Sequence, residues 1–201
     1  MNRIVLIDGE NLIYGLRSLL DSNSKIAPRE SLNKFNYRGM VEEILSDNPP
    51  QKILWFGAKL RIYNQSEQIK TKSEEAVKNQ SRFVNDLVKQ DIKFVKVGYL
   101  RARETDPCIN CKHQAWKLAE KGVDVGLAVS AVTEATAGNE VVIISADTDL
   151  LPAFHAARSL NAKVMYIGYE HRPIFSLAKA ASSTRIISLP IVTKYLNNVK
   201  I

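Results

Sequence analysis

Val141-Val142-Ile143-Ile144-Ser145-Ala146-Asp147-Thr148-Asp149 is the stretch on which the fold of this chain turns. Four consecutive β-branched residues with no polar alternation read as a strand buried on both faces, the pattern of a parallel sheet. Two carboxylates follow where that strand breaks. The carboxyl ends of such strands are where α/β proteins place their chemistry. Ile4–Ile7 repeats the theme and ends at Asp8, and Asp124 interrupts the apolar run of KGVDVGLAV at 121–129. Carboxylates gathered together repel one another and lose hydration, which is expensive unless a cation joins them. Asp8, Asp124, Asp147 and Asp149 therefore point to an acidic, metal-binding pocket.

Working outward, five apolar runs read as strands: Ile4–Ile7, Ile53–Phe56, Ile92–Val97, Val141–Ile144 and Lys163–Ile167. Helix-period segments lie between them, at Leu12–Leu20, Tyr37–Leu45, Glu67–Gln90, Leu118–Ala135 and Leu150–Leu160. Within Glu67–Gln90 the inward positions are expected to be Ile69, Val77, Val84, Leu87 and Val88. The alternation predicts an α/β fold with a central, mostly parallel sheet of about five strands flanked by helices. A short strand near Arg185–Leu189 and a helix from Pro190, a favoured first-turn residue, close the chain. Residues 1–201 read as one domain of ordinary size. No apolar run approaches membrane-spanning length, and MNRIVLIDG turns acidic too soon for a signal peptide, so a cytoplasmic protein with no membrane partner is expected.

The charge is unevenly placed. The chain has 28 Lys and Arg against 21 Asp and Glu. Between Gln51 and Lys121 the count is 15 against 8, and elsewhere it is 13 against 13, so the surplus lies in one central stretch. A basic surface beside an acidic pocket suits a polyanion whose backbone is held while one phosphate meets a metal. Scattered surface lysines are the plainer alternative. Gly98–Trp116 lacks clean periodicity and reads as an irregular basic insertion around 98–118. It carries Arg101, Arg103 and Lys112, with Lys117 at its end, mixed with Tyr99 and Trp116 in a combination suited to phosphates and bases.

Each acid has a structural alternative. Asp8 opens Asp8-Gly9-Glu10-Asn11 and could be an N-cap; Asn11, one turn on, could orient a water or phosphate or merely cap. Asp149 could cap the helix that contains Pro152, which leaves Asp147 without an evident structural role. Ser145 could cap or hydrogen-bond a substrate phosphate. Asp124 falls inside a helical pattern with apolar neighbours, and nearby Gly126 lets that helix approach another element closely. Mg²⁺ or Mn²⁺ would suit such all-oxygen ligands. No histidine is placed for general-base work near these motifs. Cys108 and Cys111 begin like a zinc site but lack two further ligands, and read as ordinary loop cysteines.

Ile7-Asp8-Gly9-Glu10-Asn11, KGVDVGLAV at 121–129 and ISADTDLLP at 144–152 together resemble the NYN domain, a branch of the PIN-like nuclease superfamily related to LabA-type bacterial proteins. The resemblance extends from about Arg3 to Ile167. It implies a single PIN-like, Rossmannoid domain and metal-dependent cleavage of RNA, with Asp8, Asp124, Asp147 and Asp149 as the acidic cluster and Asn11 as an accessory. The chain departs from the family pattern in two places. Ser145-Ala146-Asp147-Thr148-Asp149-Leu150 stands where members often read Ser-Gly-Asp-Ser-Asp-Phe, and Ser130 stands where an additional acid is common. A weakly catalytic RNA-binding module is therefore the main rival; RNA, single-stranded or structured, is the expected partner, and a homodimer is left open. A phosphatase of the haloacid-dehalogenase type is a third reading, but it needs an Asp where this chain has Glu10.

Overall fold

The computed structural model describes residues 2–21, 32, 34–107, 109–111, 114–136 and 138–196. The sheet is built from β1 (Asn2–Asp8), β2 (Lys52–Lys59), β3 (Lys93–Glu104), β4 (Trp116–Lys121), β5 (Asn139–Ile144), β6 (Lys163–Tyr169) and β7 (Ser183–Ile187). Their order is β4-β3-β2-β1-β5-β6-β7. Every pairing is parallel except β3 with β4. The expected α/β architecture is thus observed, with seven strands among the described residues rather than about five. Chain order reverses between β1 and β5, which pair through Leu6 with Ile143 and Ile7 with Ile144. That is the switch point at which an open parallel sheet leaves a crevice at its carboxyl edge.

Helices cover both faces. On one side Val5, Ile7, Trp55, Val142 and Ile144 join a core formed with α1 (Gly9–Asp21), α2 (Tyr37–Ile44), α3 (Glu67–Lys89) and α7 (Leu189–Tyr195). On the other, Ile4, Leu6, Leu54, Phe56, Val141 and Ile143 pack with α4 (Val123–Glu134), α5 (Leu151–Ser159) and α6 (Phe175–Ala180). Successive residues of one strand thereby enter opposite cores, which is why Val141–Ile144 tolerates no polar residue. Among the described residues, no helix is long and apolar enough to cross a membrane.

Three expectations change. The helix predicted over Leu118–Ala135 is strand β4 followed by α4, which begins only at Val123. The segment 98–118 is strand at both ends, where β3 continues to Glu104 and pairs antiparallel with β4, and its described residues between them, 105–107, 109–111 and 114–115, are turn or coil. A hairpin at the sheet edge is only partly buried, so it shows no clean hydrophobic period. In α3, Val88 is 62% exposed while Phe83 packs against the core instead.

Beneath the amino ends of the strands lies an ion pair. Arg3 and Glu140 are both buried; the Arg3 guanidinium donates to the Glu140 carboxylate and to the Asn48 carbonyl at 2.5 Å. Removing one partner strands a buried charge, so Glu140→Ala should cost about 3 kcal/mol or more in chemical denaturation. A loss below ~1 kcal/mol would mean that Arg3 is sufficiently held by Asp47 and the carbonyls alone.

Candidate functional site

Asp8 is the last residue of β1 and the residue before α1, so its two possible roles coincide. The Asn11 backbone N–H donates to Asp8 Oδ1 at 3.2 Å, as to an N-cap, while the Ser145 hydroxyl donates to Asp8 Oδ2 at 3.0 Å. Only 6% of Asp8 is exposed. Burial pushes its carboxyl up to about 6, against the two hydrogen bonds that stabilise the anion, and the negative charges of Asp124 and Asp147 push the same way.

Across the switch point, the end of β5 is tied to α1. The Ala146 N–H donates to Asn11 Oδ1 at 2.8 Å, which leaves the Asn11 amide nitrogen to donate elsewhere. The Asp147 N–H donates to Ser145 Oγ at 3.1 Å, and Asp147 in turn accepts from the Asp149 N–H at 2.9 Å. Asp147, which had no evident structural role in the sequence, is therefore the N-cap of the short turn Thr148–Leu150. Asp149 caps nothing: the residue before α5 is Leu150, and it makes no side-chain cap bond. Ser145 is fully buried; its hydroxyl donates to the Asp8 carboxylate and accepts from the Asp147 backbone N–H, so it positions Asp8.

Asp124 lies in helix α4, as the pattern predicted, and in its first turn, where a negative charge also suits the helix dipole. Gly122 precedes the helix with φ +82°, a backbone that side chains rarely adopt. A Cβ on Gly126 would come 2.5 Å from Val97 Cβ, so the expected close approach of this helix is against β3. Partial burial raises the Asp124 carboxyl first, and Asp147 and Asp149 raise it further.

Asp8, Asp124 and Asp147 line one cleft of about 240 Å³ together with Asn11, Glu10, Glu120, Lys121, Gly122 and Val123. Asp149 is exposed and lies outside that lining, although its charge is felt by Asp124. A second hollow of about 190 Å³ shares Asn11 and Asp147 and is walled by Tyr14, Tyr169, His171 and Arg172. The Tyr169 hydroxyl donates to the Asn11 carbonyl at 3.2 Å. The fold thus brings a histidine near the acids that linear reading did not place there, and burial lowers its basicity. Glu10 and Lys121 stood within the motifs, whereas Glu120 was hidden by the unrecognised strand.

The cationic residues also become ordered. Tyr99 pairs with Lys121, Arg101 with Ala119 and Arg103 with Lys117. By strand alternation Tyr99, Arg101, Arg103, Lys117 and Lys121 share one face of the hairpin. Lys121 stands at the acidic cleft, and the others lead away from it. Arg103 directly opposite Lys117 is an unfavourable pairing unless an anion lies over it. Lys112 and Cys108 fall outside the described residues; Cys111 is free and exposed.

The donor set suits a hard divalent cation: carboxylate oxygens, partly dehydrated, with Asp124 and Asp147 raising the Asp8 carboxyl and Asp147 and Asp149 raising that of Asp124. Among the described residues, no three His, Cys, Asp or Glu side chains are drawn together as a ready-made metal cage. A small ion that keeps several waters can be held by carboxylates that do not converge directly on one point.

No curated protein matches this chain. Among solved structures, a protein of unknown function, VPA0982 from Vibrio parahaemolyticus, is similar at 16% identity and a TM-score of 0.54, covering 94% of this chain and 93% of that one. At that identity the likeness concerns the fold. The model of the NYN domain matches residues 3–189, nearly the whole length. With the acids of β1, α4 and β5 at one switch-point cleft and a family match of that extent, the chain belongs to the NYN domain family, within the PIN-like nuclease superfamily.

Proposed function

We propose that the protein is a Mg²⁺- or Mn²⁺-dependent ribonuclease that hydrolyses phosphodiester bonds in RNA. The observation that carries this reading is the convergence of Asp8, Asp124 and Asp147 on one cleft with a cationic hairpin face leading away from it. Those three carboxylates would hold the ion, and Asp149 adds negative potential at the rim. When bound, the ion supplies Lewis-acid polarisation of the phosphate and a more acidic attacking water. Ser145 and the Asn11 backbone hold the Asp8 carboxylate in one orientation. The Asn11 amide nitrogen donates to a substrate oxygen, since its carbonyl oxygen is occupied by Ala146. Lys121, Arg101, Arg103 and Lys117 neutralise the flanking phosphates.

The test is metal removal and return. Protein stripped with chelator should cut single-stranded RNA at background rate and recover on addition of Mn²⁺. Wild-type protein that binds RNA but cuts none with Mn²⁺ present sinks the enzyme reading. Ser130 in place of an acid favours the rival: an RNA-binding module with weak chemistry.

A further inference from the structure

Beside the acidic cleft lies a larger cavity of about 580 Å³, and it is built differently. Its walls are mainly apolar: Trp55 from β2, Phe83 from α3, Phe94 and Leu100 from β3. The Trp55 and Phe83 rings stand 5.1 Å apart and edge to face. Two carboxylates, Glu10 and Glu120, belong to both this cavity and the acidic cleft, so the two spaces meet at these residues. The volume falls in the range that takes small ligands, and the chemistry selects among them. A phosphate is repelled at a mouth flanked by two acids. A flat, uncharged ring with donor groups on its edge is matched: the half-buried Phe83 and Phe94 and the apolar walls for its body, carboxylate oxygens for its N–H groups.

We propose that this cavity receives one nucleobase of the RNA strand, adjacent to the phosphate held at the acidic cleft, and prefers a base with an exocyclic amino group. The inference rests on the nuclease reading and adds a specificity pocket to it. Each carboxylate offers about four lone-pair sites, so it can accept from a base in addition to its other partners. Cytosine N4 and adenine N6 present amino donors, whereas uracil presents two carbonyls around a single N–H. Single-stranded RNA can turn a base out of the stack to reach such a pocket.

Cytidine, adenosine and uridine 5′-monophosphates are the probes, with saturating Mn²⁺ present to neutralise the phosphate at the acidic cleft. Calorimetry on the full chain should show the cytidine and adenosine nucleotides binding about tenfold more tightly than the uridine nucleotide. The indole N–H resonance of Trp55 should shift on binding. Ala76, on α3, lines the cavity but not the acidic cleft, and Ala76→Phe fills part of it. That variant should bind the cytidine nucleotide at least about tenfold more weakly and raise KM for RNA, with Mn²⁺ affinity and kcat preserved. Ala76→Leu gives a milder filling if the phenylalanine does not fold. No shift of the Trp55 resonance at millimolar nucleotide, equal binding of all three, or undiminished binding in the folded variants overturns the assignment. Cleavage that persists with those negative results leaves the nuclease standing without the pocket. Nucleotide binding with the expected preference but no cleavage supports the pocket and removes the nuclease.

Discussion

Asp8→Asn is expected to lose RNA cleavage by about 100-fold or more while gaining stability at neutral pH. The Asp8 carboxyl is almost fully buried and its folded value is about 6, well above the 3.8 of an ordinary aspartate. Between those values the folded state holds a proton that the unfolded state has released, so stability falls as pH rises. The contribution is fully present below about pH 4 and is lost on passing pH 6. Keeping this carboxylate ionised in the metal-free protein therefore costs at most about 3 kcal/mol above pH 7. Asparagine removes that cost and can still accept from the Asn11 N–H and meet the Ser145 hydroxyl. Denaturant titrations of metal-free protein should show the variant more stable at pH 8 and equal to wild type near pH 4. A destabilised variant at pH 8 would mean that the hydrogen bonds to the anion outweigh its burial. RNA binding should survive, because one negative charge has gone from the phosphate's path. Metal affinity of the wild type should also weaken as pH falls below about 6, since proton and cation compete for one carboxylate.

Replacing Arg101, Arg103 and Lys117 together by alanine should weaken RNA binding about 100-fold at 0.1 M salt, with kcat at saturating substrate unchanged. Each phosphate neutralised on a single strand contributes about 0.7 to the slope of log K against log salt. Removing three cations should therefore reduce that slope by about 2, and the two effects must appear together. Thermal stability should change little, since these side chains are exposed and Arg103 faces a like charge across the strands. Unchanged affinity with an unchanged slope would move the RNA path off this face. The other hollow, with Arg172 and Tyr14, would then be the place to look for it.

The strands at the centre were legible because burial on both faces forces an unbroken apolar run, as in Ile4–Ile7 and Val141–Ile144. The edge was not. β4 has one face towards the cavity, with Leu118 and Glu120, and one towards solvent, with Lys117 and Lys121, so nothing in its composition separates it from a loop or a helix start. Asp8 and Asp147 could be picked from the sequence because a parallel strand delivers its next residue to the sheet edge whatever else the chain does. Their division of labour could not, since a cap and a ligand use the same side chain.

By itself, then, the sequence determined the α/β class, the acids at the strand ends and the stretch in which the cationic surplus lies. These depend on local pattern: strand period, chain breaks and charge along the backbone. Only the tertiary structure decided that Ser145 is a buried support for Asp8, and that Asp147 caps a turn. It also decided that scattered cations form one face ending at Lys121, and that Glu10 and Glu120 join the acidic cleft to an aromatic cavity. Each of these depends on which residues distant in the chain become neighbours, and the pairing of strands sets that proximity.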